Sequence, residues 1–154
     1  MKDGMRFVDS DMHVMEPADL FENYLDPKFK DRVITAGLSG RPGAGRVVID
    51  GLSRTGDEDM QQYRKRRRGA ASNERQPLSG SRSAEYLDFA IERGYDAEAQ
   101  VMGMEMEGVD IAVLFPTMGL ALIARDGLDP LLSEALCWAY NNWIHDFCQP
   151  APTS

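Results

Sequence analysis

Asp11 and His13 stand two residues apart, separated from the apolar run Phe7-Val8 by Asp9 and Ser10, and both side chains can ligate a metal. Successive strand residues point to opposite faces, so in an extended segment these two share one face. A carboxylate oxygen and an imidazole nitrogen at a strand end, followed at once by a helix start, make a plausible half of a divalent-metal site. Taken singly, each has a plainer reading. Asp11 could cap a turn or helix, and His13 could be a partly buried histidine with its hydrogen bonds satisfied. Glu16 could orient His13 or reach a substrate, but a carboxylate at a helix N-terminus is favoured by the helix dipole in any case.

The elements that must position this pair are legible around it. Residues 6–10 predict a short buried parallel strand. Pro17 suits a first helical position, Asp19 the positive end of the dipole, and Leu20, Phe21, Tyr24 and Leu25 an apolar stripe that Asp26-Pro27 ends. Further on, Ala99, Met102 and Met106 recur at helical spacing over 97–107, with Gly108 as C-cap. Residues 110–115 predict a second buried strand stopped by Pro116. Asp129 as N-cap, Pro130 in the first turn, and Leu132, Leu136, Ala139, Trp143 and Phe147 along one face predict a helix over 129–148. Between these blocks, residues 37–83 are rich in Gly, Pro, Arg and Ser. They predict a flexible insertion containing one strand of a hairpin or flap at 46–50.

Composition narrows the function. The chain has 154 residues, 43% hydrophobic and 27% charged, with a net charge of −8. That is ordinary for a globular protein and disfavours a general nucleic-acid binder, so the basic run Arg64-Lys65-Arg66-Arg67-Arg68 reads as a solvated loop. No apolar run approaches the ~18 residues of a membrane span, and no secretory core opens the chain, so a cytoplasmic location is the expectation. Cys137 and Cys148 are eleven positions apart on one predicted helix, roughly 16 Å of rise, which is beyond disulfide reach. Reduced thiols follow. His145 falls within the same helix and reads as a surface residue.

Three blocks in order resemble the amidohydrolase-related superfamily, in its aminocarboxymuconate-semialdehyde decarboxylase-like branch. They are Val8-Asp9-Ser10-Asp11-Met12-His13-Val14-Met15-Glu16-Pro17, the segment Gly108-Val109-Asp110-Ile111-Ala112-Val113-Leu114-Phe115-Pro116-Thr117, and the segment from Ala139 to Cys148. The resemblance implies an α/β fold, the N-terminal portion of a TIM-type (β/α)8 barrel. It would be incomplete, because a full barrel takes about 250 residues. The expected domain is therefore a partial barrel over 1–154 with 37–83 inserted.

The resemblance also implies that Asp11 and His13 ligate a divalent ion, Zn or Mn, weakly bound or absent in so short a chain. Many members carry two histidines at this pair, so Asp11 is a departure that hardens the site and makes Mn²⁺ more competitive with Zn²⁺. Thr117 stands just past the second strand, where barrel active sites are built, although it could equally be a loop residue after Pro116. Glu16 and Thr117 are the candidate substrate-binding or supporting residues; no catalytic residue is assigned. The activity implied is hydrolysis or nonoxidative decarboxylation of a small carboxylate or aromatic acid, with this chain inactive for want of later ligands. Self-association through an exposed barrel edge is expected, and neither nucleic acid nor membrane is an expected partner. The alternative is a non-catalytic interaction or oligomerisation module derived from the fold.

Overall fold

The structure, a computed structural model, describes residues 4–36, 46–53, 82–123 and 125–149. Strand β1 (Val8–Val14) leads to a short helix α1 (Leu20–Tyr24), a 3-10 turn (Pro27–Arg32) and the strands β2 (Val33–Ala36), β3 (Arg46–Ile49) and β4 (Leu52–Ser53). Helices α2 (Arg82–Glu92) and α3 (Ala97–Glu107) follow, then β5 (Ile111–Pro116), a one-turn helix α4 (Gly119–Ile123) and the long helix α5 (Pro130–Cys148). Two sheets result. β1 and β5 pair in parallel across about a hundred residues of sequence, and β2-β3-β4 form an antiparallel sheet.

Local chemistry explains the best-defined helices. Asp129 caps α5 by accepting from the Leu131 N–H, with Pro130 at the first position where a missing N–H costs nothing. Asp96 caps α3 through the Ala99 N–H, and Gly108 ends it in the left-handed region at φ 76°, with the Val109 N–H returning to the Met104 carbonyl. Asp26 does the same for the 3-10 turn through Lys28. The Asp129 and Gly108 caps lie where the sequence predicts them, whereas Asp26-Pro27, expected to end the first helix, opens a 3-10 turn instead.

The core forms where α1 crosses α5. Leu20, Phe21 and Leu25 pack with Val14, Phe29, Val33, Val47, Ile49 and Leu122 against the Leu132, Leu136, Ala139 and Trp143 face of α5. Tyr24 donates from its hydroxyl to Asp146 at 3.0 Å and ties the two helices at their rim. Leu132 and Leu136 are essentially inaccessible, so truncating either to Ala would forfeit roughly 2–5 kcal/mol in lost transfer energy and cavity.

Arg32 joins the antiparallel sheet to α5. Its guanidinium donates to both oxygens of Asp50, at 2.7 and 2.9 Å, and to Asp129 at 2.6 Å. The arginine hydrogen bond holds each carboxyl below the usual carboxylate range, and Arg32 itself is raised. A depressed folded-state value stabilises the protein above the ordinary carboxylate range, and that contribution disappears as pH falls through the depressed values. Arg32→Ala should therefore lower Tm near neutral pH, with the gap from wild type closing below about pH 3 to 4. A gap that widens on acidification would contradict this pairing.

Several expectations need correction. β1 runs to Val14 rather than ending near Ser10, so Asp11 and His13 lie within the strand and not in a turn after it. Helix α1 begins at Leu20. Pro17 stands outside it with its carbonyl accepting from the Leu20 N–H, while Asp19 is the N-cap residue, at the positive end of the dipole as expected, with its carboxylate accepting from the Asn23 side chain.

Neither parallel strand is buried as expected. Ile111, Val113 and Phe115 alternate outward along β5, and Val8 is exposed on β1, because among the described residues nothing covers that face. β2, α2 and α4 are additional to the predicted elements. Of the expected insertion over 37–83, residues 46–53 form the hairpin strands and 82–83 open α2; the rest lies outside the described residues. Among the described residues, no helix is long and apolar enough to cross a membrane.

Candidate metal centre

A bulge places the first pair. Between the partnered positions Asp9 with Ala112 and Met12 with Leu114, β1 has two residues, Ser10 and Asp11, where β5 has only Val113. Bulges of this kind re-aim side chains and occur beside functional sites. Here Asp9 turns its carboxylate back to accept from the Asp11 N–H at 2.9 Å. Alternation then resumes. Met12 lies toward the helices, its sulfur accepting from Gln100 at 2.8 Å, and Val14 is fully buried, while Asp11 and His13 are both exposed on the open face.

On that face the Asp11 Oδ1 and His13 Nε2 atoms lie 3.9 Å apart. His13 Nδ1 is 2.9 Å from the carbonyl of Pro116, the last residue of β5. A carbonyl only accepts, so this bond requires the proton on Nδ1 and leaves the Nε2 lone pair free toward Asp11. The Phe115 ring flanks the imidazole, with centroids 6.4 Å apart. The donor set fits a divalent ion as a half-site: one open carboxylate, one imidazole nitrogen of fixed tautomer, and a backbone carbonyl orienting the ring. Among the described residues, no group of three or more His, Cys, Asp or Glu side chains is placed to hold an ion.

Glu16 and Thr117 come together on the other side of Pro116. Glu16 is only 3% exposed, and its carboxylate accepts the N–H groups of Thr117, Met118 and Gly119 at 2.9 to 3.1 Å. The Thr117 hydroxyl donates to the Val14 carbonyl at 2.7 Å. So Glu16 does not touch His13, contrary to a direct orienting contact; it holds the turn that follows β5. Its helix-end character is real, but the end belongs to α4 and not to the helix after Pro17.

Tyr140 of α5 packs over this turn. Its hydroxyl is buried with no hydrogen-bond partner among the described residues, and burial, then the Glu16 charge, push the phenol up to about 12. The turn also requires Gly119, where a Cβ would come within 3.0 Å of Pro116 Cβ and 3.3 Å of the Glu16 Oε1.

The structure brings Asp11 near His13 and Glu16 near Thr117, and beside these sequence-predicted residues it places the Pro116 carbonyl and Tyr140, which the sequence does not single out. A backbone acceptor leaves no signal in residue type. Tyr140 does have one, since it follows Leu136 by four positions on the buried side of α5. His145 is exposed, beside Gln149, and both cysteines are free thiols.

No protein-family model matches the chain, and no curated protein matches it. Among solved structures, an amidohydrolase from Mycobacterium avium subsp. paratuberculosis K-10 is similar, with a TM-score of 0.56 and 22% sequence identity. The match takes in 94% of this chain and 39% of that one. The shared feature is the fold: an α/β arrangement with a parallel pair, matching a minority of an amidohydrolase chain.

Proposed function

We propose that the chain is the N-terminal segment of a metal-dependent amidohydrolase-like enzyme of the aminocarboxymuconate-semialdehyde decarboxylase-like branch, and that Asp11 and His13 are its first two metal ligands. The observation that carries the reading is the convergence of Asp11 Oδ1 and His13 Nε2 on the open face of the parallel pair, with Nδ1 engaged by Pro116. The amidohydrolase-type fold supports it. A bound Zn²⁺ or Mn²⁺ would polarise a substrate oxygen or acidify a bound water. This chain's residues supply the carboxylate, the imidazole and the fixed tautomer. In the whole enzyme the chemistry would be hydrolysis or nonoxidative decarboxylation of a small carboxylate or aromatic acid.

Two ligands bind weakly, since catalytic zinc generally has three protein ligands and an open position. Metal retained after gel filtration should be slight in the wild-type chain and fall to the protein-free background in Asp11→Ala/His13→Ala. Retention unchanged in that variant would defeat the reading.

The second reading is a non-catalytic module that uses the same open face to associate. The outward row Ile111, Val113 and Phe115 favours it, because apolar side chains in line on one face mark a contact surface. It gives the tautomer-fixing bond no purpose.

A further inference from the structure

We infer that Glu16 is the positioning residue for His13, acting through the turn after β5 rather than by contact. The inference takes its significance from the reading of His13 as a ligand, but its geometry stands apart from any metal. Three consecutive N–H groups, from Thr117 to Gly119, converge on one buried carboxylate. Such a cluster would otherwise bind an anion from solution. Here Glu16 fills it, so the end of β5 is closed to a substrate anion and committed to holding the chain.

What the turn holds is the Pro116 carbonyl. Pro116 immediately precedes the first of the three clamped amides and pairs with Val14 in the strand register. The Thr117 hydroxyl on Val14 and the Glu16 carboxylate on the following amides fix the peptide on one side, and β-pairing fixes it on the other. The carbonyl so fixed decides which imidazole nitrogen carries the proton. Glu16 sits three residues after His13 in sequence, yet its influence crosses to β5 and returns.

Gly119 belongs to the same device, because a side chain there would meet Pro116 Cβ and the Glu16 oxygen at once. The charge is part of it too. Oε1 accepts from all three amides while Oε2 accepts a second contact from Met118, so an amide side chain could reproduce the first set but would point a donor at the Met118 N–H.

The test is nitrogen-15 NMR of the histidines in the metal-free protein, combined with Mn²⁺ titration. Wild type should show His13 as the Nδ1–H tautomer. Glu16→Leu, folded by circular dichroism, should lose that preference and bind Mn²⁺ about tenfold more weakly, within the 10–100-fold range of groups that orient ligands. Glu16→Gln should lie between.

A folded Glu16→Leu protein with the wild-type tautomer would overturn the inference. Should that variant fail to fold, Gly119→Ala decides, since it keeps the carboxylate and displaces the turn: a shifted tautomer supports the device, and an unchanged one overturns it. A failure of the metal reading looks different, with Mn²⁺ affinity insensitive to His13→Ala while the tautomer still follows Glu16.

Discussion

The purified 154-residue chain is expected to hydrolyse or decarboxylate no small carboxylate or aromatic acid above the uncatalysed rate, with Zn²⁺ or Mn²⁺ added in excess. Enzymes in general supply accelerations of 10⁶-fold or more, about 8 kcal/mol of barrier, through groups that surround the reacting atoms. In a barrel those groups come from the ends of several strands. Here two parallel strands present two donors and a flanking phenyl ring, and among the described residues no group of three or more His, Cys, Asp or Glu side chains is placed to hold an ion.

The chain spans 39% of the length of the amidohydrolase structure it resembles, so the proposed activity needs further strands. Extended by the later strands of a homologous barrel, the protein should gain turnover, and Asp11→Ala/His13→Ala should remove it. Turnover by the short chain that scales with protein and vanishes in the double variant would mean that copies assemble a complete site between them.

A second large effect concerns association. Ile111, Val113 and Phe115 form an outward apolar row on β5, Val8 lies alongside on β1, and the parallel pair is a two-stranded sheet with both outer edges unpaired among the described residues. An apolar, unpaired edge is a template for another chain. Sedimentation velocity should show the chain self-associated at micromolar concentration. Ile111→Lys/Val113→Lys should convert it to monomer, because charges on that face oppose both edge pairing and face burial. A wild-type chain that is monomeric throughout would remove the proposed self-association, and with it the module reading.

The parts of the fold that were legible are those whose chemistry is local. Asp129-Pro130 and the 132-136-139-143 stripe define α5 without any tertiary knowledge, and the 99-102-106 spacing closed by Gly108 marks α3 in the same way, while its Asp96 cap emerges only in the structure. The exposed faces of β1 and β5 were not legible. An Ile-Ala-Val-Leu-Phe run looks the same whether the sheet beside it is closed or open, and only the tertiary partner decides.

Helix α2 was hidden by the polar stretch before it, and α4 by its five-residue length. In the site, period-two spacing is enough to bring Asp11 and His13 together, but the bulge at Ser10 and Asp11 depends on the register with β5. Glu16 was identified as a helix-end carboxylate, while the end it serves lies a hundred residues away. That assignment is set by strand pairing and could not be read from neighbouring residues.

Whether Asp11 and His13 hold one ion between them can be read from paramagnetic broadening by substoichiometric Mn²⁺ in the amide NMR spectrum. Loss of signal is expected to centre on Asp11, Met12 and His13, extending across the sheet to Phe115 and sparing the exposed His145 in the last turn of α5. Broadening centred on another acidic surface, or none while free Mn²⁺ broadens only the solvent, would contradict it.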